Sequence, residues 1–155
     1  MTATLTELDL APPPEPIFVF VEGRPAPKGS RIAGRTKSGK GYTYPASVYE
    51  KGWVAEVTHE AKLVMRHRQT PDPPYEVDLT FYLKPSKRPK WPWPTVGDID
   101  KYARAVIDGL VKGGCMSDDR HVCGLTVRKQ WADDQHPMGV IAEIRPEQGF
   151  RLSGQ

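Results

Sequence analysis

Apolar and polar positions alternate along the chain in two distinct periods, and the change of period marks its elements. Residues 17–21, Ile-Phe-Val-Phe-Val, are β-branched and aromatic and predict a strand. Residues 46–67 carry Val54, Val57, Ala61 and Val64 at helical spacing. Pro45 suits the first turn of that helix, and Pro71, Pro73 and Pro74 end it. Tyr75–Leu83 alternates again, with Val77, Leu79, Phe81 and Leu83 on one face of a half-buried strand. The clearest stripe is Ile99, Tyr102, Ala103, Val106, Ile107, Leu110 and Val111, a second helix stopped by Gly113 and Gly114. Val122–Trp131 and residues 140–144 read as two closing strands, with His136 to Gly139 in the turn between them. The order strand, loop, helix, strand, helix, strand, strand predicts one α+β domain, a mixed sheet with two helices packed on it.

The punctuation between these elements sets the domain limits. Residues 23–44 form a loop rich in Gly, Ser and cations, with a turn at Lys37 to Gly41. Residues 84–96 form a proline-broken loop that contains Trp91 and Trp93. Residues 1–15 are expected to be a disordered tail, 16–147 the folded domain and 148–155 a second loose end. The start lacks the basic-then-apolar layout of a leader, and no apolar run approaches membrane-spanning length. A soluble, cytoplasmic protein without a membrane partner is expected. Cys115 and Cys123 are too few for a disulfide framework and have no ligand pattern for structural zinc, so both are expected as free thiols.

Charge changes the picture through its distribution rather than its total of +3. No acid falls between Gly23 and Tyr49, yet Arg24, Lys28, Arg31, Arg35, Lys37 and Lys40 do. A second cluster holds Lys84, Lys87, Arg88 and Lys90. Clustered cations on a near-neutral chain point to a local polyanion site, although solvated loops carry such clusters too.

The chemistry concentrates in residues 97–131. Asp98 and Asp100 bracket the start of the second helix, and Asp108 lies further along it. Asp100, Arg104 and Asp108 are four apart and line one flank beside the apolar stripe. The glycine turn can return Asp118 and Asp119 toward the same helix, so several carboxylates are expected to converge. Two carboxylates about 4 Å apart repel by roughly 4 kcal/mol at an effective dielectric near 20. A shared proton, an arginine or a divalent cation must offset that. Oxygen-only donors suit Mg²⁺ or Mn²⁺, and the absence of a neighbouring histidine argues against zinc. Each acid also has a plainer role. Asp98 can cap the helix, Asp100 can favour its positive end, Arg104 can pair with Asp100 or Asp108, and Asp118 and Asp119 can be turn residues.

Taken together, the run from Asp98 to Asp119 resembles the signature of the RusA family of Holliday junction resolvases. In that pattern an Asp-x-Asp pair opens a helix, a basic residue follows four positions after the second Asp, and an Asp lies deeper in the helix. An Asp-Asp pair then follows a glycine-containing turn. The resemblance in element order extends over about residues 16 to 146. It implies a homodimeric, Mg²⁺-dependent endodeoxyribonuclease, with Mn²⁺ able to substitute, that cuts branched DNA. It further implies that Asp98, Asp100 and Asp119 bind the metal, with Asp108 and Asp118 as further candidates and Arg104 as a catalytic residue. Lys101 stands where the family often has Asn, and Arg104 where it usually has a catalytic Lys. Arginine stays charged near neutral pH, so Arg104 would act by stabilising charge, not by proton transfer.

The cations Lys28, Arg31, Arg35, Lys37, Lys40, Lys84, Lys87, Arg88, Lys90 and Lys101 are the candidate phosphate contacts. Trp91 and Trp93 can stack on unpaired bases or wedge into a junction, or else pack the proline-rich loop onto the sheet. The apolar stripe of the second helix is either a dimer surface or intrachain core. Two other readings stay open from sequence: a metal-dependent nuclease for flaps, forks or plain duplex, and a DNA-binding protein whose aspartates only cap and turn.

Overall fold

The computed structural model describes residues 14–29, 31–45 and 48–147, with backbone alone at positions 31, 32, 44 and 45. The tails expected at 1–15 and 148–155 lie outside the described residues except for Pro14 and Glu15, and the Arg31 side chain lies outside them too.

Four strands form one mixed sheet: β1 (Ile17–Glu22), β4 (Tyr75–Leu83), β5 (Val122–Trp131) and β6 (Gly139–Pro146). Their order is β1-β6-β4-β5. β6 runs antiparallel to both β1 and β4, whereas β4 and β5 are parallel. A parallel pair needs a crossover, because a tight turn can only reverse the chain. Here the crossover is the 84–98 loop followed by helix α2 (Ile99–Lys112). Helix α1 (Glu50–Val64) packs beside α2. The architecture is the expected single α+β domain with two helices on a mixed sheet.

Alternation decides which sheet face is covered. Ile17, Val19 and Val21 of β1, Val77, Leu79 and Phe81 of β4, and Val140, Ala142 and Ile144 of β6 are all buried. Trp53, Val54, Val57 and Ala61 of α1 join the same core, as do Tyr102, Ala103, Val106 and Leu110 of α2. Most of the α2 stripe is therefore intrachain core, with Ile107 and Val111 partly buried at its edge and Ile99 exposed. The two helices touch where glycine permits it: a Cβ on Gly109 would stand 2.6 Å from Val57 Cγ1. On the opposite face of the sheet Phe18, Phe20 and Ile141 remain exposed.

Two expectations need correction. The 23–44 loop contains a hairpin of β2 (Arg31–Arg35) and β3 (Gly41–Pro45), whose tip is the expected turn. Tyr42, Thr43 and Tyr44 favour extended backbone, and Gly39 at φ +87° lets the tip reverse. Pro45 consequently ends a strand instead of opening α1, which begins at Glu50. Proline tolerates this place because a strand end needs no amide donor.

Candidate active site

Helix α2 begins where Gly97, at φ +74°, turns the chain beneath the Tyr102 ring. Lys129 of β5 fixes that turn by donating to the Gly97 carbonyl at 2.9 Å. Asp98 follows as the N-terminal cap residue, with extended backbone. Its carbonyl accepts from the amides of Lys101 and Tyr102. Its side chain makes no capping bond and pairs instead with Lys101 at 3.1 Å. The carboxylate is 67% exposed, so this pair is worth about 1 kcal/mol or less.

Two turns of α2 and the start of β5 enclose a shallow cleft of about 360 Å³. Asp100, Arg104 and Asp119 supply its polar groups, and Ala103, Ile107 and Val122 its apolar wall. Asp119 opens the single 3₁₀ turn Asp119–His121 that leads directly into β5. Asp118 caps that turn by accepting from the Arg120 amide at 3.0 Å. This bond, and a hydrogen bond with the neighbouring Asp119, hold the Asp118 carboxyl below the usual carboxylate range. Its turn-residue role is thus realised. The exposed thiol of Cys123 lies on the same rim, and Cys115 is buried with its thiol pushed up to about 12 by desolvation.

The donor set suits a hard cation in kind. Mg²⁺ commonly takes only one or two carboxylates, with water and substrate phosphate completing its shell. Asp100 and Asp119 offer two on one cleft, and no described hydrogen bond or ion pair occupies Asp100. Among the described residues, however, no three acidic, histidine or cysteine side chains already stand together as a cluster. Asp98 is turned to Lys101, and adding it requires releasing that weak pair.

Asp108 does not join the convergence expected along the helix flank. It faces the groove between α1 and α2, where Lys28 donates to it at 2.6 Å and Lys112 at 3.1 Å. Partial burial raises its carboxyl, but the two lysine hydrogen bonds outweigh this and leave it below the usual range. The offsetting charge at Asp108 is therefore supplied within the chain. Arg104 forms no ion pair with Asp100 or Asp108 among the described residues.

A family model described as endodeoxyribonuclease RusA matches residues 22–145, which span the hairpin, both helices and every acid discussed above. The chain belongs to the RusA endodeoxyribonuclease family. A search of curated proteins finds no match. Among the described residues, no helix of this RusA-family chain is long and apolar enough to cross a membrane.

The basic and aromatic residues of this RusA-family chain fall on two surfaces. Arg35, Lys37 and Lys40 lie exposed on the hairpin. Lys84, Arg88, Lys90, Trp91 and Trp93 line a cleft of about 680 Å³ together with Arg24, Tyr102 and Trp131. Trp91 and Trp93 stack on one another at 5.3 Å, and each remains about half exposed. Trp131 donates its indole N–H to the Trp91 carbonyl at 3.0 Å and so fixes the loop to the edge strand. The packing role read from the sequence is realised here, and about half of each ring stays exposed. Lys28 and Lys101 are already paired with acids, whereas Arg35, Lys37 and Lys40 have no acid partner among the described residues. Arg24, named in the acid-free run, was not carried into the candidate phosphate contacts, and Trp131 sits at a strand end that carries no such signal. His136 pairs with Asp133 and stacks on Tyr82.

Proposed function

We propose that this chain is a Mg²⁺-dependent endodeoxyribonuclease that resolves Holliday junctions, acting as a cytoplasmic homodimer through paired symmetric hydrolysis of phosphodiester bonds. The observation that carries the reading is the meeting of Asp100, Arg104 and Asp119 in one cleft of a RusA-family chain. Asp100 and Asp119, joined by Asp98 on release from Lys101, would hold the metal, with Asp118 at their side. Bound there, Mg²⁺, or Mn²⁺ in its place, would polarise the scissile phosphate and make a bound water more acidic.

The chain's own residues do the rest. Arg104 is permanently cationic and stabilises negative charge as it builds on the phosphoryl oxygens. It does not move a proton. With two carboxylates facing the single cation Arg104 in the cleft, a bare phosphate is disfavoured until a metal adds positive charge, which makes binding in the cleft and metal loading interdependent. Hairpin cations Arg35, Lys37 and Lys40, with Lys84, Lys87, Arg88 and Lys90, neutralise flanking phosphates. The exposed faces of Trp91 and Trp93 receive unpaired bases at the branch.

A four-way junction carries two symmetric cutting positions, which favours a two-fold pair of active sites. The open sheet face bearing Phe18, Phe20 and Ile141 is an exposed apolar surface that can support a dimer. The test is cleavage of a labelled four-way junction beside a linear duplex of matched sequence, with Mg²⁺ and with EDTA. Paired symmetric cuts in the junction alone, abolished by EDTA, are expected. Cutting of both substrates would replace the reading by a general nuclease, and binding without cutting would replace it by a DNA-binding module.

A further inference from the structure

The segment before the hairpin crosses α2 as a strap. The Lys28 amide donates to the Lys101 carbonyl in the first turn of α2 at 3.0 Å. The Lys28 ammonium reaches two turns further, to Asp108 at 2.6 Å. One residue is thus tied to the same helix at two points on either side of Arg104. The next residue, Gly29, lies against the Arg104 guanidinium: a Cβ there would stand 2.6 Å from Nη1 and 3.6 Å from Cζ. Gly29 holds φ +96°, a conformation that side-chain-bearing residues rarely adopt.

We infer that Lys28, Gly29 and Asp108 form a positioning device for Arg104, in which the Lys28–Asp108 tie holds the bare backbone of Gly29 against the guanidinium and keeps it directed at the Asp100–Asp119 cleft. The inference rests on the reading of that cleft as the catalytic centre. It gives Asp108 a role other than metal binding and gives Lys28 a role other than phosphate contact. It also makes Gly29 a partner of arginine in particular. A lysine ammonium at position 104 reaches only as far as Cζ, where a Cβ on residue 29 would be in ordinary contact.

The experiment is a double-mutant cycle of Gly29→Ala and Arg104→Lys, read as single-turnover junction cleavage and junction affinity. With Arg104 present, Gly29→Ala should slow cleavage on the order of a hundredfold, the scale of a misplaced reacting group. Affinity should change by no more than about twofold, because the hairpin cations are untouched. In the Arg104→Lys background the same substitution should slow cleavage by no more than about threefold, since coupled residues depart from additivity. A purely structural loss from strain at position 29 would be equal in both backgrounds and would overturn the inference. If Gly29→Ala does not fold, Lys28→Met provides the second cycle. It loosens the strap without burdening position 29, and it should again cost cleavage with Arg104 and little with Arg104→Lys. A wild-type chain that cuts, with additive effects, refutes the strap alone; a wild-type chain that does not cut junctions refutes the catalytic reading and the strap with it.

Discussion

Asp100 and Asp108 sit on one helix, two turns apart, and differ in what surrounds them. Asp108 is clamped by two lysines in a half-buried groove, while Asp100 faces an open cleft with a second carboxylate, Asp119, on the other wall. Carboxylates whose charge is already offset within the fold hold structure together. Asp100 and Asp119 share their cleft with Arg104 alone and are not clamped as Asp108 is, which leaves them available to a further cation. Under the proposed function the helix divides along its length into a catalytic half and an anchoring half, and Arg104 stands between them.

The largest expected effect breaks the catalytic half. Asp100→Asn keeps the shape of the side chain but removes its charge, so junction cutting should fall on the order of a hundredfold or more while junction binding persists. Unchanged cutting would remove Asp100 from the site. Asp108→Asn should be milder, with about a tenfold loss typical of a supporting partner, and it should leave the Mg²⁺ concentration for half-maximal rate where it was. A shift of that midpoint would make Asp108 a ligand after all. Replacing Lys87 and Arg88 together by Ala should weaken binding and flatten its salt dependence by roughly two units of slope, measured by titration at several ionic strengths. An unchanged slope would place that loop off the DNA. Arg104→Lys should retain or raise activity, and total loss would point to a contact only a guanidinium can make.

The smallest effect is on stability. Asp108 has its carboxyl lowered in the folded state, so its contribution is present above the unfolded-state value and is lost as pH falls through the folded one. The stability gap between wild type and Asp108→Asn in urea unfolding should therefore be larger at about pH 7 than at about pH 3. A gap that widens in acid would contradict the assigned direction.

Helix α2 and strands β1, β4 and β6 were legible because period and burial coincide there, as in the stripe from Tyr102 to Leu110. The β2–β3 hairpin was not: Arg31, Gly34 and Arg35 interrupt the sequence of β2, so no apolar alternation marks it. The parallel pairing of β4 with β5 was equally hidden, since it depends on which edge the crossover returns to. Within the site, spacing placed Asp100 and Arg104 on one helix flank and the turn after it returned Asp118 and Asp119 toward them, while the family resemblance singled out Asp119. Asp108 was read as part of that convergence because its partner, Lys28, is 80 residues away in sequence. The side-chain direction of Asp98 was likewise set by a neighbour, Lys101, that competes for it.

The claim that one half of α2 is catalytic and the other anchoring is tested most directly by the Mg²⁺ dependence of single-turnover junction cleavage in wild type, Asp100→Asn and Asp108→Asn. The account predicts that Asp100→Asn stays near background at every Mg²⁺ concentration, while Asp108→Asn follows the wild-type midpoint at a reduced plateau. Equal displacement of the Mg²⁺ midpoint in both variants would contradict it, because the two carboxylates would then serve one metal centre.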